Sequence, residues 1–197
     1  MTNNSNDIIE YYKSKIMEYK NKRNEKCSID NVVKYVSEQK NIDDAIRIAV
    51  GSRDRNGKMH SHQRHVQKIA YGKFTEVLLQ VKEKIVKATD FDQLFSIIAI
   101  EGKNIYGVGE MLIYDTAFRI GTWRKIFPET IYIHAGTRIG LSNLLKRKIY
   151  EQTINKKDLP EPFRSCDLTP GQLEDFFCIN KDMFSNSNKR KGRRSIC

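Results

Sequence analysis

Val66, Ile69, Ala70, Phe74, Val77, Leu78, Val81 and Ile85 recur with the period of an α-helix, over about five turns. A half-buried strand would need strict alternation. A stripe spaced at 3.6 residues has to be buried against other helices. The same spacing returns in Ile8, Ile9, Tyr12, Ile16 and Tyr19, in Val32, Val33 and Val36 behind a capping Ser28, and in Ile42, Ala45, Ile46 and Ala49.

Helix boundaries are written into the polar residues between these stripes. Asp90 with Gln93 three residues on predicts an N-terminus ahead of Phe91, Leu94, Phe95 and Ile98. Thr169-Pro170-Gly171-Gln172 combines an N-cap, a proline at the first helical position and a capping-box glutamine, ahead of Leu173, Phe176 and Phe177. Residues 51–62 lack any period and read as a loop, and Thr130-Ile131-Tyr132-Ile133 is the one plausible strand. The reading is an all-α fold: a single helical domain over residues 1–184 and a disordered basic tail over 185–197.

Composition narrows the partners. The 197 residues carry 35 Lys and Arg against 24 Asp and Glu, a net charge of +11, of which Lys189, Arg190, Lys191, Arg193 and Arg194 supply five. A field of that sign favours polyanions, because each neutralised phosphate releases counterions. Cys27, Cys166, Cys178 and Cys197 form no CxxC pair and no disulfide framework. The N-terminal residues show no signal-peptide pattern and no apolar run reaches the length of a membrane span, so the expected location is the cytoplasm, without membrane association. Oligomeric state is left open.

The sharpest local pattern is Ile105-Tyr106-Gly107-Val108-Gly109, followed by Glu110, Met111, Leu112, Tyr114, Ala117, Phe118 and Ile120. Two glycines flanking one aliphatic residue allow a tight reversal, since glycine reaches positive φ without steric cost. Val108 then plugs between two helices, and the N–H groups opening the second helix meet a phosphate, aided by its dipole. Such a turn grips the sugar-phosphate backbone without reading bases.

This turn resembles the helix-hairpin-helix motif of DNA-binding proteins, here over residues 91–122. Downstream, Pro128-Glu129-Thr130 and then Arg138-Ile139-Gly140-Leu141 follow in the order and spacing of the helix-hairpin-helix DNA glycosylases, so the resemblance spans residues 91 to about 145. It implies nucleic acid as partner, DNA rather than RNA, contacted by Tyr106, Gly107, Val108, Gly109 and Arg138, with no cofactor. It also implies Glu129 as the catalytic acid of a base-excising hydrolase, with Asp115 as the alternative acid and His134 assisting. Two positions depart from the family. Glu129 stands where aspartate is usual, and Met111 stands where bifunctional members carry a Schiff-base lysine.

Other residues admit plainer readings. His60, His62 and His65 have the number for a zinc site, but Arg53, Arg55, Lys58 and Arg64 crowd them; Lys58 and Arg64 fit phosphate contacts better, and no metal is expected. Asp115 lies four residues before Arg119, the spacing of a helical ion pair. His134-Ala135-Gly136-Thr137 suits close approach of a ligand or of another helix. Two further readings stay open: a helical adaptor whose basic face docks an acidic protein, and an enzyme using residues 107–109 to cradle a phosphorylated small molecule.

Overall fold

The computed structural model describes residues 3–25, 31–59, 63 and 68–185. Ser28, His60, His62, Arg64, His65 and the basic tail beyond residue 185 lie outside the described residues. The fold is mostly helical with one two-stranded sheet. In chain order the helices are α1 (Asn3–Glu25), α2 (Asn31–Ser37), α3 (Ile42–Gly51), α4 (Lys68–Gln80), α5 (Lys82–Lys87), α6 (Phe91–Gly102), α7 (Glu110–Arg124), α8 (Ala135–Leu145) and α9 (Pro170–Ile179). Strands β1 (Ile131–Tyr132) and β2 (Thr153–Ile154) pair antiparallel, with Ile131 opposite Ile154 and Tyr132 opposite Thr153.

These elements fall into two compact units. One comprises α2 to α7; the other joins α1 to the described residues from 129 to 185. In the first, α7 packs against α2, α3 and α6. Leu112, Ile113, Ala117, Ile120 and Gly121 are buried on several sides of it, which explains why its apolar residues do not keep to one stripe. Phe74, Leu78, Ile85, Phe91, Leu94 and Ile98 complete this core, each 0–2% exposed. The long apolar period of the sequence is interrupted at Val81. With φ −106° and ψ 14°, Val81 ends α4 and caps α5, and Leu78 and Ile85 stay buried on either side.

In the second unit, Tyr12, Tyr19, Phe163, Phe176, Phe177 and Phe184 interlock with Ile16, Leu141, Leu168 and Leu173. Helices α8 and α9 approach closely because α8 presents glycine. A Cβ on Gly140 would stand 2.4 Å from the Phe177 carbonyl oxygen, and one on Gly136 would stand 2.4 Å from Cys178 Sγ. The small residues after His134 therefore admit a helix. Both expected caps form: Asp90 accepts from Gln93 N–H at 2.8 Å, and Thr169 and Gln172 make a reciprocal capping box ahead of Pro170.

Candidate nucleic-acid interface

The 91–124 hairpin begins where α6 closes with Lys103 N–H on the Ala99 carbonyl. Two tight turns follow, in which Ile105 N–H bonds the Gly102 carbonyl at 3.0 Å and Val108 N–H bonds the Ile105 carbonyl at 3.0 Å. Gly107 is the third residue of the second turn and has φ +89°, the position where a type II turn demands glycine. Val108, 9% exposed, is turned into the core, and Tyr106, 86% exposed, is turned out.

Gly109 differs from Gly107. Its φ of −98° and ψ of 171° are extended backbone that any residue adopts, and a Cβ there would meet nothing within 4 Å. It is the N-cap of α7 and supplies no side-chain cap, so the first N–H groups of α7 have no intrahelical or side-chain acceptor at this exposed turn. The positive φ anticipated at both glycines is found at one. Gly107→Ala should cost about 1 kcal/mol or more, since alanine is strained at positive φ, and its Cβ would crowd Ala70 Cβ at 3.2 Å. Urea denaturation checks this, and unchanged stability would contradict it.

Behind the turn, α7 is anchored by a buried cation. Arg119, 1% exposed, donates from Nη1 to Ser52 Oγ at 2.6 Å and to the Ala49 carbonyl at 3.0 Å. Asp115 Oδ2 lies 3.7 Å from its Nη2, the expected i, i+4 pair, and also accepts from Gln63 Nε2 at 2.7 Å. The Gln63 carbonyl in turn accepts from the Tyr71 hydroxyl at 2.6 Å. Asp115 is thus the acceptor end of an internal brace.

The 51–59 stretch is more ordered than a bare loop. Asp54 Oδ1 accepts from the N–H groups of Asn56 and Lys58, both at 2.9 Å, and Arg53 bridges Met59. The side chain of Lys58 is exposed.

The remaining predicted residues belong to the other unit. Glu129 is exposed at its start. His134 is buried, 6% exposed, with Nε2 hydrogen-bonded to Glu174 Oε1; Thr137 donates to the same oxygen at 2.9 Å. Burial raises the Glu174 carboxyl above the usual range, against the opposing pull of His134. Arg138 places its guanidinium on three backbone carbonyls, those of Ile149 (2.8 Å), Glu151 (3.2 Å) and Ile133 (3.2 Å). It ties α8 to the chain just before and just after that helix. A fork so occupied is a structural brace, where the sequence suggested a phosphate contact.

Glu174 was not anticipated, although one signal was available. It sits on the face of α9 that also carries Phe177 and Cys178, so a carboxylate interrupts an apolar helical stripe. Nearby, the Tyr19 hydroxyl donates to Asp175 at 2.8 Å and accepts from Arg23, and burial pushes its pKa up.

Among the described residues, no helix is long and apolar enough to cross a membrane, and no three His, Cys, Asp or Glu side chains gather as metal ligands would. No family model, curated protein or solved structure matches this chain. The functional reading therefore stands on the geometry of the hairpin.

Proposed function

We propose that this protein binds nucleic acid, DNA in preference to RNA, through the phosphate backbone at the 91–124 hairpin. The observation that carries the reading is the exposed turn at residues 105–110. Its conformation is set by Gly107 and Val108, and α7 opens there at the exposed Gly109 and Glu110 with no side-chain cap. The first amides of α7 together with the helix dipole suit a phosphate oxygen, and the net charge of +11 suits a polyanion.

Base excision is not part of this reading. Of the residues the glycosylase resemblance offers for chemistry, Asp115 and His134 are held in internal hydrogen bonds and Arg138 is held on carbonyls. Glu129 alone is left with its carboxylate open to solvent.

The test is anisotropy of a labelled oligonucleotide across a salt series. The slope of log affinity against log salt should be about 0.9 per phosphate neutralised on duplex DNA. Removing residues 186–197 should make the slope shallower without abolishing binding. Gly109→Asp separates folding from binding. An aspartate at this N-cap accepts a first-turn N–H, so stability should hold or rise by roughly a few tenths of a kcal/mol. Its negative charge sits where the phosphate would, so affinity should fall. Unaltered affinity in Gly109→Asp, or loss of all binding on tail removal, would move the interface away from the hairpin. Equal competition by an acidic polypeptide would favour an adaptor docking an acidic protein.

A further inference from the structure

The hairpin carries one feature that backbone gripping does not use. Tyr106 is 86% exposed, more than any other large apolar or aromatic side chain among the described residues, and makes no hydrogen bond or ring contact there. It stands on a turn that cannot readily fold it away. Gly107 has its own φ of +89°, Val108 N–H is bonded back to Ile105, and Val108 is buried as a plug. A ring held out in this way has already lost much of the freedom that binding would otherwise remove.

Lysines stand on both elements that meet at this turn, α4 and the hairpin. Among the described residues from 53 to 73 the cations are Arg53, Arg55, Lys58, Lys68 and Lys73; Arg55 is paired with Glu38 at 2.6 Å and Arg53 donates to the Gly57 carbonyl at 2.7 Å, whereas Lys68 and Lys73 are exposed on α4. Three described residues of this part of the chain meet the hairpin. Ser52 bonds Arg119, Gln63 bonds Asp115, and Ala70 lies against Gly107, with 3.2 Å from its Cβ to where a Cβ on Gly107 would be. Lys68 and Lys73 flank Ala70 on α4, and Ile69 beside it is 64% exposed. Lys103, three residues before Tyr106, is exposed in the hairpin. Glu101 and Glu110 are the nearest acids along the hairpin itself, so the positive charge beside the turn is that of Lys68 and Lys73 on α4 with Lys103.

An exposed aromatic beside lysines is the combination that holds an unpaired base: the ring stacks on the base while the cations track the phosphates. In a closed duplex every base is already stacked, and a lone tyrosine at the tip gains nothing from it. We infer that Tyr106 is a stacking platform for an unpaired base, so the hairpin takes single-stranded or gapped nucleic acid in preference to intact duplex. This inference rests on the backbone-binding reading and names its substrate class. Acidic protein is disfavoured as occupant because it would use the lysines and leave the ring idle.

The experiment uses the full chain and three labelled probes of equal length: an oligothymidylate, a perfect duplex and a duplex with a short single-stranded gap. Wild type should bind the first and third more tightly than the second. Tyr106→Ala should weaken binding to those two by about fivefold or more, the effect of losing one stacked base, and change duplex binding less than twofold. Tyr106→Phe should restore the loss, because the ring rather than the hydroxyl stacks. Tyr150→Ala removes another ring, 79% exposed, outside the hairpin, and should leave all three affinities unchanged. Equal loss on all three probes, or no loss, overturns the stacking role. If Tyr106→Ala is silent while Gly109→Asp still weakens binding, stacking fails and the backbone reading survives. If wild type binds none of the probes, both fail together.

Discussion

Phe163→Ala should destabilise the protein by about 3–5 kcal/mol, the range for removing a fully buried ring from a core. Phe163 is 0% exposed and its centroid lies 5.3 Å from that of Tyr12, 5.7 Å from Phe176, 5.1 Å from Phe177 and 5.8 Å from Phe184. Truncation removes the transfer free energy of the ring and leaves a cavity among side chains that are themselves large and interlocked, so collapse cannot fill it. Phe163→Leu keeps more of the volume and should cost distinctly less. Guanidinium denaturation monitored by circular dichroism reads both. A loss below about 1 kcal/mol for Phe163→Ala would mean that this aromatic cluster is not a packed core.

The second large effect falls on Arg119. Arg119→Met keeps much of the side-chain volume and removes the charge, so the Ser52 hydroxyl, the Ala49 carbonyl and the Asp115 carboxylate each lose a partner in the interior. Breaking a buried pair by deleting one member typically costs about 3–5 kcal/mol, because the other charge is left uncompensated. Asp115 keeps Gln63 and is 18% exposed by its side chain, so the loss should lie toward the lower end of that range. Arg119→Lys should rescue little, since one ammonium on a flexible stem cannot serve a hydroxyl and a carbonyl as the guanidinium fork does. Arg119→Met combined with Asp115→Asn should recover part of the loss, and strict additivity in that double-mutant cycle would show that the two residues do not act as a pair. Because α7 also starts at the candidate interface, oligonucleotide affinity of Arg119→Met should be measured where the variant remains folded.

Much of the architecture was readable because it depends on neighbours along the chain. A capping side chain reaches only two or three residues ahead, so Asp90 with Gln93, and Thr169 with Pro170 and Gln172, declare their helix starts without knowledge of anything distant. A turn of two glycines around one aliphatic residue is equally local, and Val108 is buried as that pattern requires. Apolar spacing marked Phe74, Leu78 and Ile85 as core in the same way.

What remained hidden depends on residues far apart in sequence. The break at Val81 follows no proline or glycine, and β2 is two residues long, too short to carry a pattern. The polar residues were the harder case. Arg138, His134 and Asp115 each look from their neighbours like groups available to a ligand, and each is occupied by a partner on another segment: the Ile149 carbonyl, Glu174 and Gln63. A hydrogen-bonding side chain has the same local signature whether it faces a ligand or an internal acceptor, because a buried polar group must be satisfied either way. The two glycines of the turn divide along the same line. Both flank Val108, yet the Val108–Ile105 hydrogen bond closes a turn with positive φ at Gly107, whereas Gly109, outside that turn, takes the extended conformation and starts a helix.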